Sequence, residues 1–69
     1  MNRMLDAAIR QAEDRAEREG MRMVVWYDAG PDAYGRSGVF YVRAEYEGRP
    51  WEAERIHTVE SQGKSEATP

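Results

Sequence analysis

The chain has 69 residues, a net charge of −3 and no cysteine. A chain of this length forms one domain with a thin core, and such domains usually need a disulfide, a structural metal or a partner for stability. The lack of cysteine excludes disulfides, iron–sulfur clusters and thiolate zinc sites, and the single histidine, His57, disfavours a transition-metal site built from protein ligands alone. The negative charge disfavours a nucleic-acid binder that depends on a basic patch.

Residues 2–19 are predicted to form an amphipathic helix. Apolar side chains recur at spacings of three and four along one stripe: Met1, Met4, Leu5, Ala8, Ile9, Ala12 and Ala16. The other faces carry oppositely charged pairs one turn apart: Asp6–Arg10, Asp14–Arg18 and Arg15–Glu19. Asn2 is the predicted N-cap, and Gly20 is the predicted left-handed residue that ends the helix.

Residues 21–28 are rich in β-branched and aromatic side chains and predict a strand that is apolar on both faces. Met23, Val25 and Tyr27 point to one side, and Val24 and Trp26 point to the other. The helix can cover only one of these faces. We therefore expect something outside this chain, or its C-terminal segment folded back as a helix, to cover the second face.

Residues 29–38 are predicted to form a loop, since three glycines and Pro31 lie within it. This connection is long for a hairpin. Tyr34 and Arg36 lie near its tip, where binding residues are often displayed on a rigid scaffold. We expect both residues to contact a partner.

Residues 39–47 alternate as a second strand, and Glu47-Gly48 predicts a two-residue turn into a third strand. The first face carries Phe40, Val42, Ala44 and Tyr46, and the second carries Val39, Tyr41, Arg43, Glu45 and Glu47. The predicted hairpin register pairs Arg43 with Glu52, Tyr41 with Glu54, Val39 with Ile56, Ala44 with Trp51 and Val42 with Ala53.

Residues 50–61 fit a strand better than a helix, because the cross-strand pairs agree and residues 56–59 have strand character. The competing helix is supported by Pro50 at a first helical position, acidic residues in the first turn and Gly63 beyond the end. The predicted fold is α+β, with one helix packed on a three-stranded antiparallel meander (α-β-β-β) and α-β-β-α as the alternative. Residues 1–60 form the single predicted domain, and residues 61–69 are predicted to be a disordered tail.

The order helix, strand, long loop, strand, strand resembles the first four elements of a double-stranded-RNA-binding domain over residues 3–56. Gly30-Pro31 ahead of Phe40 and Val42 is similar to the second-strand region of that family. The basic Lys-Lys-x-Ala-Lys start of the family's last helix is absent, and Lys64 is the only lysine in the tail. The resemblance therefore does not imply RNA binding for this chain.

Catalytic and metal-binding patterns are weak. Glu54, His57 and Glu60 are spaced three apart, and on a strand such residues face opposite sides and cannot share one ion. The glycines at 30, 35 and 38 match neither a P-loop nor a dinucleotide-binding loop. We expect neither an enzyme nor a cofactor.

Besides the loop, two surfaces are candidate partner-binding sites. The first is the apolar second face, formed by Val24, Trp26, Val39, Tyr41 and Ile56, whose predicted size is that of an interaction patch. The second is an acidic edge, in which carboxylates at strand spacing imitate a phosphate backbone: Glu45, Glu47, Glu52 and Glu54.

The expected function is stoichiometric binding to a larger protein complex that handles nucleic acid, through a basic surface of that complex. Small phage proteins that inhibit host defence nucleases, such as anti-CRISPR proteins, belong to this class. The alternative is a homodimeric accessory subunit whose apolar sheet face is its dimer interface.

The expected location is the bacterial cytoplasm. The first residues carry charges every few positions, and no stretch approaches the roughly 18 apolar residues of a membrane span. All basic residues except Lys64 are arginine, and alanine is abundant, as GC-rich codons favour. We therefore expect a soluble protein of bacterial or phage origin.

Overall fold

The computed structural model describes residues 3–31, 34–61 and 65–67, the last three by their backbone alone. Its elements are helix α1 (Arg3–Glu19), strands β1 (Met23–Asp28), β2 (Val39–Ala44), β3 (Glu54–Val59) and β4 (Ser65–Ala67), and a 3₁₀ turn, η1 (Glu45–Glu47). The strands form one antiparallel sheet in the order β2-β1-β3-β4. The predicted α+β class, one helix followed by three antiparallel strands, is confirmed.

Helix α1 packs on the sheet through small side chains. Ala8, Ala12 and Ala16 are buried, and they let the helix approach the flat strand surface closely. Gly20 has a φ of 65°, and its N–H donates to the Ala16 carbonyl at 2.9 Å, as the predicted helix end requires. The predicted pairs Asp14–Arg18 and Arg15–Glu19 are both present at 3.1 Å. The predictions for Met1 and Asn2 fall outside the described residues.

This close approach makes a testable prediction. Ala12 has no exposed surface between the helix and the sheet, so Ala12→Leu should destabilise the domain by about 1–3 kcal/mol through overpacking. Urea unfolding measures the loss. Glu17→Leu is the matched control, because Glu17 is exposed on the same helix. Equal stability of the two variants would contradict the close packing of α1.

Strand β1 lies between β2 and β3, so the predicted hairpin at Glu47-Gly48 is wrong. β3 pairs with β1 from Met23↔Val59 to Tyr27↔Glu54, and all the predicted pairs between residues 39–44 and residues 51–56 are absent. β2 ends at Ala44 because the next three residues form η1. The central position suits β1, since a strand that is apolar on both faces loses more water-exposed surface there than at an edge.

The connection from β2 to β3 must cross the sheet. Both strands are antiparallel to β1, so they are parallel to each other, and the chain has to return over β1. It returns over the face opposite α1, where Pro50 and Ala53 are buried. The Ala53 N–H donates to the Pro50 carbonyl at 2.9 Å, which closes a tight turn over residues 50–53. We call residues 45–53 the crossover.

The sheet therefore has a core on each face. The helix-side core contains the buried residues Ala8, Ala12, Ala16, Met23, Val25, Ala44 and Val59. The crossover-side core contains Val24, Trp26 and Ala53, with Tyr41 packed against them. The expectation that the second face needs an outside cover is wrong for Val24 and Trp26, because the crossover of the same chain covers both.

Ile56 lies on the side opposite to the predicted one. The pairing of β1 with β3 shifts between Val25, which faces His57, and Trp26, which faces Arg55. This irregularity gives β3 one extra residue, Ile56, and Ile56 packs against the helix-side core. An alternating pattern cannot reveal such an extra residue, because alternation assumes an uninterrupted ladder.

The C-terminal segment also differs from its prediction. Residues 65–67 form β4, which pairs with β3 from His57↔Ala67 to Val59↔Ser65, where a disordered tail was expected from residue 61. The alternative helix over residues 50–61 is wrong, since Glu54–Val59 is a strand. Residues 62–64 and 68–69, including Gly63 and Lys64, lie outside the described residues.

Candidate interaction surface

Trp51 is the most unusual residue of the crossover. Its φ is 46°, in the left-handed region that bulky side chains rarely adopt, and 46 % of its surface is exposed. Its ring lies 5.3 Å from the ring of Tyr41, measured between centroids, at a tilt of 40°. The crossover thus displays a large aromatic side chain above the sheet at a conformational cost.

Two arginines contact the tryptophans of this region. The Arg49 Nε donates to the Trp51 carbonyl at 3.2 Å, and the Arg55 guanidinium lies 5.6 Å from the centre of the Trp26 ring. Trp26 itself is 8 % exposed, and its Nε1 has no hydrogen-bond partner in the part of the chain that is described. Packing and the cation above its ring therefore hold Trp26 in position.

An ion-pair network ties the start of the crossover to β3 and to the residue before β1. Arg22 pairs with Glu60 at 3.0 Å and with Glu45 at 3.2 Å, and Glu45 also pairs with Arg55 at 3.4 Å. The hydrogen bond that Arg22 donates to Glu60, followed by the charges of Glu60 and Glu45, raises the pKa of Arg22 above its ordinary value. Arg22 therefore stays charged throughout the physiological pH range.

The predicted acidic edge does not form a row. Glu45 and Glu47 follow β2 beside the Met23 end of β1, whereas Glu54 pairs with Tyr27 at the opposite end. The carboxylates also have partners within the chain: Glu45 has two arginines, the Glu47 Oε1 accepts from the Ala44 N–H at 2.9 Å, and Glu52 pairs with Arg49 at 3.5 Å. The row depended on the hairpin register, so it fails with that register.

The loop between β1 and β2 is exposed at its tip and anchored at its base. The Arg36 guanidinium lies 5.3 Å from the centre of the Tyr34 ring, and both side chains are exposed, as predicted. At the base, the Asp28 Oδ1 accepts from the Gly30 N–H at 2.8 Å, and the Gly38 N–H donates to the Ala29 carbonyl at 3.3 Å. Contact of Tyr34 and Arg36 with a partner stays a prediction.

The structure brings together only part of the predicted site. Tyr41 and Trp26 are neighbours on the crossover side, Val39 is half-buried at the start of β2, and Val24 is fully buried. Sequence reasoning placed Trp51 in a strand and so missed it. No sequence signal identifies it, because the residues that usually adopt such a backbone conformation in a turn are glycine, asparagine and aspartate.

The described residues contain neither a cluster of metal-ligand side chains nor a membrane-spanning helix. Among them, no three histidine, aspartate or glutamate side chains are placed to hold one metal ion. His57 has a buried Nε2 with no hydrogen-bond partner in the same part of the chain. Within those ranges, no helix combines the length and apolar character that a membrane crossing requires.

Comparisons of this chain with protein-family models, with curated proteins and with solved structures find no match. Its function must therefore be inferred from its own geometry.

Proposed function

We propose that the chain is a small non-catalytic protein-binding domain that acts as an inhibitor or adaptor on a larger nucleic-acid-handling complex, in the manner of anti-CRISPR inhibitors. The observation that carries this proposal is Trp51, half-exposed and held at a φ of 46°. A left-handed conformation costs an L-residue about 1–2 kcal/mol. Strain of this kind concentrates at functional sites, where it displays a side chain for recognition.

The surroundings of Trp51 support protein binding. Tyr41 lies beneath it, Tyr46 is 79 % exposed in the same crossover, and Arg49 hydrogen-bonds to its carbonyl. Tryptophan, tyrosine and arginine are the residues that most often dominate the energy of protein interfaces. The net charge of −3 favours a partner with a basic surface, such as one that binds nucleic acid.

Binding through Trp51 can be separated from folding. Trp51→Gly and Trp51→Ala remove the same indole, but glycine adopts a positive φ freely, so the glycine variant should be about 1 kcal/mol more stable than the alanine variant. Both should weaken partner binding by about 2 kcal/mol, or roughly 30-fold. Urea unfolding measures the first difference, and titration calorimetry with the captured partner measures the second.

The partner is found by affinity capture from a bacterial lysate on the immobilised full chain. Proteins that wild type and Trp51→Phe retain and that Trp51→Gly loses are the partners expected. Proteins retained equally by all three variants would contradict binding through Trp51. A dimeric solution mass that Trp51→Gly converts to a monomer would support the alternative, a homodimeric accessory subunit.

A further inference from the structure

The outer edge of β2 presents main-chain hydrogen-bonding groups whose direction can be derived. The Glu45 N–H donates to the Arg22 carbonyl, toward β1, while the Val42 carbonyl accepts from the Arg15 Nη1 at 3.2 Å and the Ala44 N–H donates to the Glu47 Oε1 at 2.9 Å. In a strand, the N–H and C=O of one residue point to the same side, and this side alternates along the chain. The main-chain N–H and C=O groups of the even-numbered residues of β2 therefore point away from β1.

Side chains of the chain itself occupy one end of this edge. Arg15 holds the Val42 carbonyl, and Glu47 holds the Ala44 N–H. The outward main-chain groups of β2 that lie before this end are both groups of Phe40 and the Val42 N–H. These groups form a short stretch of open strand edge, and one extended segment can pair with it by strand addition. The Arg15 and Glu47 side chains at the end of this stretch limit longer edge-to-edge pairing.

A groove lies beside this stretch of open edge, between the first half of α1 and the start of β2. Its volume is about 540 Å³, and its lining includes Met4, Ala7 and Gln11 of the helix and Val39 and Phe40 of the strand. The position of this groove agrees with the hydrogen bond from Arg15 to the Val42 carbonyl, which shows that a side chain of α1 reaches the outer edge of β2. A side chain of a strand added at this edge would enter the groove.

The charge of the groove identifies the chemistry of its occupant. Among the described residues that line it, Arg36 alone is charged, and the rest are apolar or neutral. An arginine beside an apolar groove favours a ligand with one apolar side chain and one carboxylate.

We propose that the β2 edge and this groove bind an extended peptide segment of a partner protein. The segment pairs its backbone with Phe40 and Val42, places one apolar side chain in the groove and directs a carboxylate to Arg36. Main-chain hydrogen bonds supply affinity in this mode, and the groove supplies specificity. This inference rests on the proposed function, because both require that the chain binds a protein. The surface that it uses is separate from Trp51.

A second copy of this chain is a poorer occupant than a free segment. In that copy, the β2 residues that face the groove are Phe40 and Val42, which already pack against the helix-side core beneath α1. No side chain of the second copy would remain to fill the groove. A free extended segment supplies both the backbone and the side chain.

The test uses a displayed library of random twelve-residue peptides, selected on the immobilised full chain. We expect enriched peptides to share an apolar residue near an acidic one. For a synthetic enriched peptide, N-methylation of its pairing amides should weaken binding at least about tenfold, because it removes hydrogen bonds and keeps the side chains. Amide exchange at Val42 should slow when the peptide binds.

Variants of the chain locate the peptide. Ala7→Phe fills the groove from an exposed helix position and should weaken peptide binding about tenfold or more, and Arg36→Gln should weaken it about tenfold. Arg18→Gln, an exposed helix position paired with Asp14, is the matched control and should leave binding unchanged. Trp51→Gly should also leave it unchanged.

Three results would overturn the proposal: no enriched peptide, equal binding to wild type and Ala7→Phe, or no effect of N-methylation. A dimer of the chain that Ala7→Phe dissociates would assign the edge to a second copy and would equally overturn it. If no peptide binds the β2 edge while capture of lysate proteins still depends on Trp51, the proposed function is supported and only this inference is wrong.

Discussion

Replacing Trp26 by alanine is expected to cost about 3–5 kcal/mol of unfolding free energy, the range measured for large aromatic side chains in cores. Trp26 is 8 % exposed and packs with Val24 and Ala53 beneath the crossover, with the Arg55 guanidinium above its ring. Small domains are stable by about 5–15 kcal/mol, and a 69-residue chain lies toward the lower end of that range. The variant should therefore be largely unfolded at physiological temperature.

The measurement is urea unfolding followed by circular dichroism, with Tyr46→Ala as the matched control. Tyr46 is 79 % exposed in the same crossover, so its loss should change stability by less than about 0.5 kcal/mol. Val25→Ala, in the helix-side core, should also destabilise, because both faces of the sheet are buried. A well-folded Trp26→Ala variant with unchanged stability would mean that the crossover does not seal a second core.

The second large effect is expected at Gly30. Its φ is 82°, and an added Cβ would lie 2.6 Å from both the Arg36 carbonyl oxygen and the Ser37 Cα. These neighbours are backbone atoms and cannot rotate away, so Gly30→Ala forces the loop to open. We expect a loss of about 2–4 kcal/mol, the sum of left-handed strain and backbone overlap.

Gly35→Ala separates the two contributions to that loss. Gly35 has a similar φ of 76°, and a Cβ there would meet nothing within 4 Å. Its substitution should cost only the conformational strain, about 1–2 kcal/mol. Thermal unfolding of the two variants side by side provides the comparison, and equal losses would mean that Gly30 is not clamped between the two sides of the loop.

The local elements could be predicted from residue patterns alone. The stripe of small and apolar residues predicts α1, and Gly20 ends it because a left-handed residue is needed there. The run of β-branched and aromatic residues predicts β1, and alternation assigns Phe40 and Tyr41 to opposite faces, as the two cores confirm. These features depend on neighbours within a few positions, which the sequence displays directly.

The candidate site was only partly predictable. The exposed positions of Tyr34 and Arg36 follow from the glycine-rich loop, and Tyr41 follows from alternation. Trp51 was missed, since its backbone conformation results from the turn that the crossover makes above the sheet. The acidic row was wrong, because a row of carboxylates exists only if the strands carrying them are paired in the expected register.

Composition and periodicity by themselves determined the helix, the first three strands and the two-sided apolar character of β1, but not β4. The tertiary structure alone decided the strand order, the extra residue Ile56 and the path of the crossover. The physical reason is competition between distant segments: residues 39–47 and 50–59 can pair with each other as a hairpin, but β1 is apolar on both faces and loses more water-exposed surface when it lies between them. With β1 between these two segments, the chain has to cross the second face of the sheet. The crossover then covers Val24 and Trp26, and the Trp51 side chain is left exposed on its outer surface.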